Sequence, residues 1–484
     1  MKKRRLVLFV ITLGLLFSAP TASGTGQTST CPPSPNVQDI LKQVTQESVT
    51  QWIRNFSGED FVPVGGVQRQ ILTRNSYQLF NSYVNALAYP YIGEQLESMG
   101  YQQGTFLADH VYSPYKTASV AAGIIPQWPL GVDDELFLKN EISTLPGQAL
   151  SWKNKVVTIP GHGPNADEIV LMTAHLDSTS NQASTNAPGA EDNGSGVAAL
   201  MEAARLFRFY KFDRTIKIIF FTGEEQGLLG SVAYVDDHPA ELANIVGVVN
   251  LDMFGYDNDN DRCFELHVGT LADSNVVGTC FTDVIANYSL GLTYDYLTTG
   301  ATGSSDHAPF WSEGVGAIEV LENYFDNNLP EGCKGRDKNP YYHTTSDKIT
   351  YMNLPVTLAI AQGGIGAAAS LATPLGRCFD SDPEITATEL STSIQLNWTE
   401  IIDADVYDIY RSDTSCEGPF TQVAQVTTNS FEDTEIVFGH TYFYRVQAAE
   451  TGAVCFSQLS NCDSAKVGET VYFEYFFPLV IAGE

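Results

Sequence analysis

The chain has 484 residues, enough for two or three domains, and 43% of them are hydrophobic and 11% aromatic, which excludes a wholly disordered chain. Acidic residues outnumber basic ones 57 to 26, a formal net charge of −31. Such a surface repels phosphate backbones and anionic headgroups, so nucleic-acid binding is not expected, and it suits clustered carboxylates that hold cations.

Residues 2–5 are Lys-Lys-Arg-Arg, residues 6–17 are a continuous apolar run, and small residues follow to Gly24. This three-part pattern predicts a secretory signal peptide over 1–24. The run is too short to span a bilayer, and no later stretch is read as reaching spanning length, so stable membrane insertion is not expected. A secreted, extracellular chain changes how the eight cysteines read: none forms a C-x-x-C pair, and an even number predicts disulfides. Proximity alone pairs Cys416 with Cys455 or Cys462. Residues 25–36, rich in Ser, Thr, Pro and Gly, read as a flexible lead-in. Helical periodicity runs through 37–104, with Val84, Leu87, Tyr91 and Leu96 on one side, and leaves a pro-segment open.

From about residue 153 apolar strands alternate with amphipathic helices. Strands are predicted at Lys155–Ile159, Glu168–His175, Ile216–Thr222, Ile245–Leu251, Phe264–Gly269 and Gly316–Leu321. Helices are predicted near 195–210, 227–236, 274–289, after Ser305, and at 354–372. The pattern indicates an α/β unit, a sheet sandwiched by helices, over 37–375, with its site at the carboxyl ends of strands. After Pro374 the composition switches to short alternating runs, which predicts a small all-β sandwich of immunoglobulin-like size at 376–468. The spacing of Trp398, Tyr410 and Tyr442–Val446 resembles a fibronectin type III module. An apolar tail at 469–484, too short to span a membrane, ends the chain.

Chemistry-bearing residues gather at these strand ends. TAHLDS places His175 two residues before Asp177, an imidazole ligand and a carboxylate on one side of an extended segment. PGAEDNGSG places Asp192 before a helix that Asp192 or Asn193 is also placed to cap. FTGEEQG carries Glu224 and Glu225, whose side chains diverge in extended backbone, one toward a metal and one toward a reacting water. Asp252 follows strand Ile245–Leu251, and His343 lies in YYHTTSD. Singly these are weak signals; together they form a nitrogen and oxygen donor set suited to zinc.

In this order and spacing, His175/Asp177, Asp192, Glu224–Glu225, Asp252 and His343 resemble the secreted bacterial dizinc aminopeptidases. That larger peptidase family also contains glutamate carboxypeptidases, glutaminyl cyclases and the transferrin receptor. The resemblance covers about residues 70–372. It implies a mixed α/β sheet of the zinc-exopeptidase type and two zinc ions bridged by Asp192. His175 and Asp252 complete one site, Glu225 and His343 the other. Glu224 is then the general base toward a metal-bridging water, Asp177 supports His175, and the substrates are peptides or proteins with a free amino terminus. It also implies a cis peptide bond between Asp192 and Asn193. The sequence departs from some relatives in carrying Thr302 where a tyrosine helps stabilise the oxyanion, and His307 in the same stretch reads as supporting or structural. Alternatives are a glutaminyl cyclase with one zinc, a carboxypeptidase or, in a different class, a non-catalytic adhesion or receptor-like protein. In GYDNDNDRC, Asp257, Asp259 and Asp261 alternate like the opening of a calcium loop, but Arg262 and Val268 stand where an EF-hand needs Gly and Glu, which leaves a looser calcium site or a plain acidic turn.

Overall fold

The computed structural model describes residues 30–76, 86–114, 151–327, 329 and 332–468. The signal peptide 1–24, the tail 469–484 and Val84 lie outside them.

The larger unit is built on an eight-stranded sheet. Its order from edge to edge is Thr293–Leu297, Cys263–His267, Ala317–Glu322, Ile245–Leu251, Ile169–His175, Thr215–Phe221, Trp152–Ile159, Leu107–Tyr112. The four central strands, from Ala317–Glu322 to Thr215–Phe221, run parallel, and antiparallel pairings begin on either side of them. Parallel strands bury both faces, which is why Ile169–His175 is buried at every position and reads as an apolar run rather than an alternation. Thr293–Leu297 and Leu107–Tyr112 were not anticipated. Both are edge strands, where partial exposure dilutes the apolar signal.

Helices Gly194–Phe207, Ala272–Asn287 and Leu354–Ala372 contact one another or the sheet. Leu354–Ala372 corrects the reading that no later stretch reaches spanning length: it has 19 residues and a mean hydropathy of 1.4. Its apolar surface is used inside the fold, and at Gly364 an added Cβ would lie 2.9 Å from Leu251.

The region before the sheet belongs to the same core. Helices Pro35–Gln43 and Gln46–Phe56 bury Val37, Ile40, Leu41, Val49, Ile53 and Phe56. A capping box at Thr45 starts the second of them. Its Ser48 and Trp52 donate to the buried carboxylate of Glu202 on Gly194–Phe207. Cys31, read as lead-in, is disulfide-bonded to Cys280. The other disulfides are Cys263–Cys333, Cys378–Cys455 and Cys416–Cys462. Proximity therefore left Cys416 two candidates, and Cys462 is its partner because Cys455 closes onto Cys378.

The smaller unit has a three-stranded sheet (Ile385–Glu389, Ile394–Trp398, Ser430–Asp433) and a four-stranded one (Thr421–Val426, Val406–Ser412, Thr441–Ala449, Asp463–Lys466). All pairings are antiparallel. Both sheets feed one apolar cluster containing Leu396, Trp398, Ile409, Tyr444 and Val446. It docks on the larger unit through Phe456, which packs in that unit's core and lies under the Arg208 guanidinium.

Candidate metal centre and active site

Three neighbouring parallel strands deliver their carboxyl ends to one place. Ile169–His175 ends at His175, Ile245–Leu251 is followed by Asp252, and Thr215–Phe221 leads to Glu224 and Glu225. Asp192 enters from the start of helix Gly194–Phe207, and His343 from the loop before the last helix, with a left-handed φ of 57°.

The structure brings the predicted donors together in two groups that share one residue: His175, Asp192 and Asp252, and Asp192, Glu225 and His343. His175 Nε2 lies 3.0 Å from Asp252 Oδ1 and 3.3 Å from Asp192 Oδ1. His343 Nε2 lies 3.1 Å from Asp192 Oδ2 and 3.0 Å from Glu225 Oε2. The two oxygens of Asp192 thus face different histidines. Glu224 Oε2 is 3.9 Å from His175 Nε2.

Asn193 leaves Asp192 available for this. Its Oδ1 accepts the Gly196 amide at 2.9 Å, so Asn193, not Asp192, caps the helix, and its Nδ2 donates to Leu251 O beside Asp252. The Asp192–Asn193 bond is cis, as the resemblance implied. Asp347, four residues after His343, accepts the Glu191 and Asp192 amides at 3.2 and 3.1 Å.

Two details differ from the sequence reading. Glu224 and Glu225 lie in a tight turn, closed by Gly227 and Leu228 amides on Glu224 O, and not in extended backbone. Gly223 permits the turn at φ 73°, with Trp152 and Tyr112 too close for a side chain. His175 Nδ1 meets the backbone carbonyl of Asp177 at 3.0 Å, and the carboxylate is farther, at 3.8 Å. That carboxylate instead accepts the amides of Glu224 at 3.3 Å and Glu225 at 3.2 Å. A short acid two residues on from the histidine reaches the adjoining turn more easily than its own neighbour's ring.

The electrostatics are those of a crowded anionic pocket. Burial raises the Glu225 carboxyl to about 7, with Asp192 adding to it and His343 opposing. Burial likewise pushes Glu224 well above its ordinary value. At His175 burial opposes the charge, but Asp252, Glu224 and Asp192 outweigh it and raise the imidazole. Buried Asp306, from the Ser-Asp-His stretch, reaches about 7 by burial. Imidazole and carboxylate donors around uncompensated negative charge fit divalent cations, and Glu225 Oε1 is buried without a hydrogen-bond partner among the described residues. The residues present therefore fit zinc.

His307 is turned away from the donors: its Nε2 meets Thr302 O at 3.0 Å and its ring packs edge-on against Trp311. Thr302 is held by its amide on His267 Nδ1 and by its hydroxyl on Ser304. In the acidic turn the converging carboxylates are Asp257, Asp259 and Asp337. Asp261 is used locally instead, accepting the Cys263 amide at 2.9 Å. Acidic turns are common without an ion, and no further feature of this one assigns calcium to it.

Sequence reasoning missed Arg74. It is fully buried beneath the site, and its guanidinium donates to Leu176 O, Phe56 O, Pro188 O and Gly189 O at 2.6–2.9 Å. Burial lowers it to about 10, while Asp347, Asp192, Asp177 and Glu225 pull the other way. No motif surrounds this arginine, so no local signal marks it.

Residues 154–365 match the profile of peptidase family M28. The chain is 36% identical over 188 residues to aminopeptidase YwaD of Bacillus subtilis, covering 38% of this chain and 37% of that protein. It is 33% identical over 230 residues to leucine aminopeptidase 1 of Trichophyton equinum, covering 45% and 57%. It thus spans less than two thirds of these relatives' lengths. LapB from Legionella pneumophila, a solved structure, is 18% identical, with a TM-score of 0.50 over 71% of this chain and 77% of that one, a likeness of fold. The order of the donors, the sheet that presents them and the profile match agree: residues 154–365 of this chain carry the pattern of peptidase family M28.

Proposed function

We propose that the protein is an exported aminopeptidase that works with two zinc ions and removes amino-terminal residues from peptides. His175, Asp192 and Asp252 would hold one ion, and Asp192, Glu225 and His343 the other. When bound, zinc supplies the positive charge that polarises the scissile carbonyl and makes water more acidic. Glu224, whose carboxyl is raised by burial, accepts a proton from the attacking water and returns it to the leaving amine. Asp177 keeps both glutamates in place through their amides. The surrounding carboxylates attract the substrate's free ammonium group, which favours exopeptidase action. Export is supported by the four disulfides and by the predicted leader.

The division into a peptidase unit (37–375) and a fibronectin type III-like module (376–468) is part of the proposal. The three-plus-four antiparallel sheets support the second assignment.

The observation that carries the two-ion reading is Asp192, with Oδ1 toward His175 and Oδ2 toward His343. The test is metal analysis combined with turnover of aminoacyl anilides beside amino-terminally blocked versions. Two zinc ions per chain and cleavage of the free-amine substrates alone are expected. One zinc with cyclisation of amino-terminal glutamine, or cleavage from the carboxyl end, overturns the reading. So does an inactive zinc-loaded protein.

A further inference from the structure

The family profile begins at residue 154, yet a short segment far ahead of it runs directly under the site. Thr73, Arg74 and Ser76 are all buried, at 1%, 0% and 0% exposure. Three contacts fix the course of the segment. Thr73 bridges to Ala187 and its hydroxyl donates to Ala183 O at 2.6 Å. The Arg74 amide donates to Ser178 Oγ at 3.2 Å, and its guanidinium holds carbonyls on both sides of the 176–189 loop. Ser76 then stands between two parts of the catalytic turn. Its Oγ accepts the Gly223 amide at 2.7 Å, and its hydroxyl lies near enough to the Asp177 carboxylate to favour its charged form.

Asp177 itself accepts the amides of Glu224 and Glu225. Three consecutive amides, 223 to 225, are therefore held by one unit, Gly223 by the serine and the next two by the carboxylate that the serine orients. A hydroxyl suits this place because it both accepts and donates, whereas a carboxylate alone would only accept. The turn so held carries the proposed base and one proposed metal ligand.

We infer that Ser76 is a positioning residue of the peptidase reaction, acting through Asp177 to set the Glu224–Glu225 turn. The inference rests on the aminopeptidase reading above. Arg74 anchors the segment so that the serine arrives in place. Without the hydroxyl, the Gly223 amide loses its acceptor and Asp177 one of its donors, so the turn relaxes within a fold that still holds.

The test uses the full chain with Ser76→Ala, Asp177→Asn and the double variant. In zinc-loaded Ser76→Ala, kcat is expected to fall about 10- to 100-fold, the usual effect of removing such a supporting partner, with KM within about twofold. Its zinc content and Tm are expected to stay close to wild type. In the double variant the two losses do not multiply, because both break one clamp. The cobalt-loaded Ser76→Ala protein is expected to show an altered visible absorption spectrum, since Glu225 rides on the same turn. Wild-type kcat, a kcat loss that only follows lost folded or zinc-loaded protein, or independent multiplying losses overturns the inference. An unchanged cobalt spectrum also overturns it. If wild-type enzyme turns over no aminoacyl anilide, the proposed function fails by itself, while the cobalt spectra still decide whether the clamp exists.

Discussion

The two units of this chain both bury carboxylates, but they treat them in opposite ways. In the small β unit, Asp433 receives Tyr444 Oη at 2.8 Å, Arg411 Nη1 at 2.8 Å and the Glu435 amide at 3.0 Å. Asp408 receives Gln422 and Gln425 at 2.7 and 2.8 Å. Both acids there are supplied with donors. In the α/β unit, Asp192, Glu224, Glu225 and Asp252 crowd around two histidines, while Glu225 Oε1 has no donor among the described residues. A buried acid with enough donors serves stability, whereas a crowd of buried acids short of donors waits for cations. Burial alone would not have distinguished these two kinds of acid; their hydrogen-bond partners do.

The sharpest break of this contrast is Asp192→Ala. It should lose zinc from both places and reduce peptidase activity to background, whereas Glu225→Ala should keep one ion. Metal analysis showing equal losses in the two variants counts against a bridging role. Next, Glu224→Gln should keep the metals and the melting temperature but lower kcat about 10²- to 10⁴-fold, because an amide cannot take the proton. Near-wild-type turnover with full zinc would mean that the base is another group. The β unit should respond in the opposite currency, stability without chemistry. Phe456→Ala should destabilise the protein by about 3–5 kcal/mol, with kcat per folded molecule unchanged. Denaturant unfolding and active-fraction kinetics separate the two. The smallest effect is expected for Tyr444→Phe, which removes one hydrogen bond to Asp433 and should cost about 1 kcal/mol with no change in kcat. A kinetic effect from that variant would show that the module reaches into the site.

A cut after residue 376 would keep every proposed ligand but would remove contacts that the larger unit uses. Phe456 packs in the core of the larger unit, and Cys378 is bonded to Cys455 across the small one.

Much of the architecture was legible in the chain. Strand Ile245–Leu251 and helix Leu354–Ala372 fall at the bounds read from periodicity, because a buried strand and a long apolar helix leave strong local patterns. The edge strand Thr293–Leu297, exposed or half-buried at three of its five positions, left none. At the site, three of the five proposed ligands, His175, Glu225 and Asp252, came from short motifs at strand ends, where chain direction alone predicts convergence; Asp192 came from a helix start and His343 from a loop. The role of the Asp177 carboxylate was not legible, because it depends on the shape of a turn 47 residues away.

The sequence by itself determined that His175, Glu225 and Asp252 would meet, since parallel strands must deliver their carboxyl ends to one edge of the sheet and these residues stand just at or after those ends. It also determined that two units follow one another, through the change from alternating strands and helices to short strands alone. Only the tertiary structure decided what surrounds those residues. Arg74, Ser76 and Phe456 have no motif, and their partners lie far along the chain: 147 residues separate Ser76 from Gly223. Local composition reports the propensity of a segment. The positions of hydroxyls and guanidinium groups under a site follow from packing between segments distant in sequence, and only the folded chain specifies them.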